Sequence, residues 1–152
     1  KNDCVYTPEW LAKRICERYP LSGIVLEPCK GKGSFLKYMP EGSEWCEILE
    51  GKDFYDYCKN VNWIVTNPPY SQFDKFLEKC FSISDNVVLL VPCSKIFTSI
   101  GKLRTIFNYG GFVEFGILPS GKAGFPFGFP SGVFYFKKGY KGETKIYMFE
   151  CE

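Results

Sequence analysis

Short apolar runs of strand length recur along the chain, separated by stretches in which apolar residues return every three or four positions. Gly23-Ile24-Val25-Leu26, Glu44-Trp45-Cys46-Glu47-Ile48 and Asn62-Trp63-Ile64-Val65-Thr66 read as short buried strands. Asn86-Val87-Val88-Leu89-Leu90-Val91-Pro92 is a continuous apolar run of the kind found where a parallel strand is covered on both faces. Phe112 to Leu118 and Val133 to Phe136 predict two more strands, with Thr144 to Phe149 a last one at a sheet edge. Glu9 to Arg18 sets Trp10, Leu11, Ile15 and Cys16, with Tyr19, on one helical face, and Thr7 is its expected N-cap with Pro8 as first helical residue. Gln72 to Phe81 does the same with Phe73, Phe76, Leu77, Cys80 and Phe81. Ser94 to Asn108 predicts a looser helix that Gly110-Gly111 ends. Only fourteen residues separate Glu47 from Asn62, too few for a helix, a strand and another helix, so one strand–helix unit is abbreviated.

The punctuation between these runs carries the candidate chemistry. Asn67-Pro68-Pro69-Tyr70 follows a buried strand, and its two prolines forbid continuation of strand or helix. Two readings stand: a proline-rich turn closing the strand, or a site for a flat NH2 group. In the second, the Asn67 oxygen and Pro68 carbonyl accept its hydrogens and Tyr70 stacks on its face. Glu27-Pro28-Cys29-Lys30-Gly31-Lys32-Gly33-Ser34-Phe35 reads as strand, glycine turn and new helix, which is either an ordinary connection or a place where a ligand meets backbone N–H groups at the strand's carboxyl edge. Glu27 can pair with a cationic or hydroxylated ligand. Glu47, about 20 residues past the first strand, is either a solvated strand-end acid or a ribose ligand, and Asp53-Phe54 can bracket an adenine ring. Pro119 to Gly132 is long for a loop; its Phe125, Phe127 and Phe129, read as exposed, either stack bases or receive a partner together with Lys122, or fold back over the core.

Composition narrows the chemistry. The chain has 152 residues, enough for one domain with its own core, and a net charge of only +2, so general polyanion affinity is not expected. It contains no histidine, which removes Ser–His and Cys–His nucleophilic machinery. The eight cysteines are scattered without a C-x-x-C pair, so no metal site is expected and they read as small buried hydrophobes in a reducing cytoplasm. No apolar run approaches a membrane span and no secretory signal is visible.

Taken in order, these motifs resemble those of class I S-adenosylmethionine-dependent methyltransferases, and most closely the amino-methyltransferases acting on N(6) of adenine in DNA, as in restriction-modification systems. The resemblance runs from Tyr6 to about Lys138. It implies a Rossmann-like three-layer α/β/α sandwich with a mostly parallel sheet and an antiparallel strand near the C-terminus; residues 1–152 read as one catalytic domain, with no segment long enough for a separate target-recognition domain, a departure from the family. It implies S-adenosylmethionine as cofactor, held by Tyr6, Thr7 and Pro8 at its methionine end, by Glu27, Pro28, Cys29, Gly31, Gly33 and Phe35 along the turn, by Glu47 at the ribose (with Glu50 the fallback), by Asp53 and Phe54 at the adenine, and by Asn67. The catalytic loop is Asn67, Pro68, Pro69 and Tyr70; the substrate contacts are Tyr70, Lys122, Phe125 and Phe127. Direct in-line transfer to a flipped adenine is implied. The family uses small or hydroxylated residues where Lys30 and Lys32 stand. Sequence recognition would fall to the phenylalanine loop, to the region after Pro92, or to a partner subunit. The same Asn-Pro-Pro-Tyr occurs in enzymes that methylate a protein glutamine amide, and RNA adenine or an inactive cofactor-binding subunit are the other readings.

Overall fold

The structure, a computed structural model, describes residues 5–126 and 128–149. Its centre is a seven-stranded sheet of β1 (Val25–Glu27), β2 (Glu44–Trp45), β3 (Val61–Thr66), β4 (Ser84–Pro92), β5 (Phe112–Leu118), β6 (Ser131–Lys137) and β7 (Lys145–Met148), in the order β2-β1-β3-β4-β6-β5-β7. β6 runs antiparallel to both β4 and β5, and all other neighbours are parallel.

Successive side chains of a strand point to opposite faces, and the sequence is apolar at both. Leu26, Ile64, Val87, Leu89, Val91, Phe134 and Phe136 build one core with α2 (Phe73–Ile83), α3 (Ser94–Phe97) and α4 (Ile100–Tyr109). Val25, Trp63, Val65, Val88, Leu90 and Val133 build the other, covered by Leu11, Ala12, Ile15 and Cys16 of α1 (Glu9–Arg18) and by Phe35 and Met39. This is the expected α/β/α layering. Each fully buried side chain of this size contributes about 1.5–3 kcal/mol relative to exposure. Arg18 and Glu114 clamp α1 to β5 through two bonds of 2.7 and 3.0 Å. Burial alone would raise the Glu114 pKa, but the Arg18 and Tyr19 hydrogen bonds outweigh it and hold the carboxyl low. The six described cysteines are free, and no helix among the described residues is long and apolar enough to cross a membrane.

Several expectations need correction. The glycine turn leads not into an α-helix but into a three-residue 3-10 turn, Leu36–Tyr38, because Pro40 follows so closely. The abbreviated unit consists of two such turns, Ile48–Glu50 and Phe54–Asp56. The helix expected over Ser94 to Asn108 is broken at Thr98 and Ser99, where the Ser99 hydroxyl caps α4 by accepting from Lys102 N. Thr7 makes no capping bond; Pro8 is the N-cap of α1, and the Thr7 hydroxyl is engaged elsewhere. Phe125 is not exposed: it is 5 % accessible and plugs the α1-side core with Ala123, while Phe129 stays exposed. Phe127 lies outside the described residues.

Candidate active site

At the carboxyl ends of β1 and β3 the chain leaves an open cavity of about 210 Å3. Its wall is assembled from Val5, Tyr6 and Thr7 before α1, the glycine turn from Pro28 to Lys32 with Ser34 and Phe35, and Glu47 and Ile48 past β2. Asp53, Phe54 and Tyr55, then Asn67, Pro68 and Pro69 past β3, and Phe76 of α2 complete it.

The turn after β1 is shaped by backbone conformation. Gly31 and Gly33 have φ of 55° and 82°, a region in which a side chain is strained, and around Gly33 an added Cβ would meet nothing within 4 Å. Glycine is needed there for its dihedral, and the backbone faces open space. Beneath the turn, Glu27 is 1 % exposed and does not line the cavity. Its Oε1 accepts from Cys29 N at 2.8 Å and so fixes the first residue of the turn. Oε2 and the nearby Thr66 Oγ1 are buried without a hydrogen bond of normal length among the described residues. Burial pushes the Glu27 pKa up to about 8; the Thr66 hydroxyl and Cys29 N–H pull it back part of the way, and Glu47 adds a small push upward.

Glu47 lines the cavity and ties the second strand to the turn: Oε2 accepts from Gly31 N at 2.8 Å and Oε1 from Leu49 N at 3.1 Å. Glu50 points elsewhere, into an ion pair of 2.6 Å with Lys30. Asp53 Oδ1 accepts from Tyr55 N at 2.9 Å, which leaves its second oxygen for other use. Phe54 is buried against Phe76, with 5.0 Å between ring centroids, and Tyr55 stands beside it, partly accessible.

Asn67 is held on the wall through its side-chain amide. Its Nδ2 donates to the Val5 carbonyl at 2.9 Å and to Thr7 Oγ1 at 3.1 Å. A carbonyl can only accept, so the atom facing Val5 must be the NH2 of the amide. Both amide hydrogens are thereby used, and Oδ1 is the group left for a ligand. Pro68 and Pro69 continue the wall, whereas Tyr70, Pro8 and Gly33 do not line it; nor do Lys122, which is exposed on its loop, and the buried Phe125. Sequence reasoning missed Val5, Ser34, Ile48, Tyr55 and Phe76 as wall residues. Val5 contributes a backbone carbonyl, which leaves no mark in a sequence; Tyr55 directly follows the Asp-Phe pair. Among the described residues no group of His, Cys, Asp and Glu side chains is arranged to hold a metal ion.

No protein-family model matches the sequence, and no curated protein matches it either. Solved structures do. A Listeria monocytogenes protein assigned to the class I S-adenosylmethionine-dependent methyltransferases superposes with a TM-score of 0.77 at 13% identity, over 99% of this chain and 68% of that one. A modification subunit assigned to a type I restriction enzyme of Vibrio vulnificus gives 0.71 at 18%, over 97% of this chain and 47% of its own. A protein of Pyrococcus horikoshii assigned as an RNA methyltransferase gives 0.60 at 18%, over 86% and 80%. The chain spans under half the length of the modification subunits it resembles. A mostly parallel sheet with β6 antiparallel beside β4, together with superposition over nearly every residue, makes this chain's fold the Rossmann-like fold of the class I methyltransferases.

Proposed function

We propose that this chain binds S-adenosylmethionine in the cavity and transfers its methyl group to the exocyclic N(6) amino group of adenine in DNA. The tethered amide of Asn67 carries this reading: with both its hydrogens bound to Val5 and Thr7, it offers one fixed acceptor at the end of β3, beside the Pro68 carbonyl. An acceptor pair at a carboxyl strand edge suits a planar NH2.

The residues of the wall fit the cofactor. Glu47 is a half-buried acceptor at the end of the second strand and suits two vicinal hydroxyls. Ile48 and Tyr55 give apolar surfaces for a purine, and the second oxygen of Asp53 can accept from its amino group. Gly31, on the wall and in the left-handed region, lets a ligand approach the backbone of the turn closely. When bound, S-adenosylmethionine supplies an electrophilic methyl group on a sulfonium centre.

The protein's part is orientation and electrostatics. Asn67 Oδ1 and the Pro68 carbonyl each accept one hydrogen of the adenine amino group. Those bonds strengthen as positive charge develops on nitrogen, and they hold its lone pair out of the ring plane, toward the cavity. With the donor bound, the amino nitrogen would take the methyl in place of one proton, which would pass to water, and the chain needs no histidine for this. A duplex adenine is flipped to arrive there. Tyr70, half-buried and just beyond the wall, then stacks on the base from outside the cofactor's space. The wider target surface is Lys122 with the exposed Phe129 of the same loop, and recognition of a particular DNA sequence belongs to a partner subunit.

Asn67→Ala is expected to lower transfer from labelled cofactor into DNA at least about a hundredfold, the loss typical of an oriented transition-state donor or acceptor, with the calorimetric affinity for S-adenosylhomocysteine within about twofold. Full transfer by this variant would refute the role of Asn67.

A further inference from the structure

The glycine turn carries two lysines on the cavity wall, and they keep different company. Lys30 is committed: its Nζ lies 2.6 Å from Glu50 Oε2 and 4.0 Å from the centre of the Trp45 ring. Lys32 makes no ion pair among the described residues. Its ammonium lies 4.3 Å over the Tyr6 ring. The same ring packs on the turn, where a Cβ on Gly31 would lie 3.5 Å from it. A cation resting on an aromatic face at a cavity rim, with no acid paired to it among the described residues, is placed to receive an anion.

Its position says which anion. Tyr6 stands between Val5 and Thr7, the two residues that hold the Asn67 amide. Lys32 therefore stands by the reacting end of the cavity, while the acceptors Glu47 and Asp53 belong to the stretch after β2. A ligand with its hydroxyls at Glu47 and its sulfonium at Asn67 has one further substituent, the amino-acid chain, to lay beside Tyr6, and the carboxylate of that chain is its only anionic group.

We propose that Lys32 is the counter-ion of that carboxylate, held ready by Tyr6, and that it selects ligands retaining the amino-acid end. This rests on the assignment of S-adenosylmethionine to the cavity. A lysine stem loses rotamer freedom when it binds, and contact with the ring limits that freedom beforehand. Lys32 is a positioning residue in this account and takes no part in the transfer itself.

Calorimetry on the whole chain tests it with two probes: S-adenosylhomocysteine, which keeps the carboxylate, and 5′-methylthioadenosine, which lacks the amino-acid end. Lys32 is exposed, so Lys32→Gln is expected to fold. The expected result is that Lys32→Gln weakens S-adenosylhomocysteine about tenfold, equivalent to about 1.4 kcal/mol, with 5′-methylthioadenosine unchanged, and that Lys32→Arg restores most of the loss. Equal weakening of both ligands, or of neither, would overturn the proposal. So would a loss confined to DNA affinity, which would assign the lysine to phosphate contact. Failure of wild-type chain to bind either ligand would instead sink the cofactor assignment and this proposal with it, so the two failures are distinguishable.

Discussion

Asn67 owes its orientation to two groups near the start of the chain, and this makes its function depend on a residue that never touches the reacting atoms. Thr7→Val keeps the shape of the side chain and removes the acceptor for one amide hydrogen. Leaving that hydrogen unsatisfied costs about 1–3 kcal/mol and frees the amide to turn. Turnover is expected to fall about tenfold, or about 1.4 kcal/mol in barrier, with S-adenosylhomocysteine affinity unchanged; unchanged kcat would contradict the tether. Glu27 gives a second residue-scale expectation. The folded chain holds its proton up to about pH 8, against an ordinary value of 4.5. Between those values the folded state binds more protons than the unfolded one, so stability is full below the lower value and declines as pH rises toward the upper one. The slope is about 1.4 kcal/mol per pH unit at most. Chemical unfolding across pH 5 to 8 should show this decline, and Glu27→Gln should flatten it; a wild-type stability that rises over this range would contradict the buried neutral carboxyl.

Elements that bury both faces were legible because their apolar residues run without interruption. β4 is the plainest case: Val87, Leu89 and Val91 serve one core while Val88 and Leu90 serve the other. Apolar residues returning every three or four positions also marked α1 and α2. What the pattern hid depends on tertiary partners. Thr7-Pro8 has the local signature of a helix cap, yet its hydroxyl binds an amide at the far end of β3, and nothing near Thr7 could reveal that. Phe125 sits among glycines and prolines that read as exposed loop, but Ser120 bonds to Ser131 at 2.8 Å across the base of that loop, and the ring turns into the core. The break at Ser99 had a local mark, a serine able to cap the next turn, which the run of apolar residues on either side obscured. At the end of α4, a Cβ on Gly110 would lie 2.0 Å from the Lys137 carbonyl and 2.8 Å from Gly139 N, both backbone atoms. Gly110→Ala must therefore displace the β6 exit, and it is expected to cost about 2 kcal/mol or more. A lower urea midpoint at unchanged slope would register that cost; an unchanged midpoint would contradict the packing.

At the scale of the molecule, the sheet does two separable things. Its centre, β1, β3, β4 and β6, is covered on both sides and supplies stability, while the carboxyl ends of β1 and β3 splay their connections apart and leave the cavity. The glycine turn and Asn67-Pro68-Pro69 face each other only because β1 and β3 are adjacent in the sheet, although they are far apart in sequence. The proposed chemistry asks for an unstacked base, and extrusion from a duplex costs a few kcal/mol. The isolated chain is accordingly expected to methylate single-stranded DNA faster than the same sequence in duplex form; a strong duplex preference would show that it carries its own means of flipping the base. The most direct test of the whole account is incubation of the chain with methyl-labelled S-adenosylmethionine and a mixture of DNA, RNA and protein, followed by digestion and separation. Label recovered as N(6)-methyldeoxyadenosine is the predicted result. Label found instead on glutamine or on RNA nucleosides, or absent altogether, would contradict it.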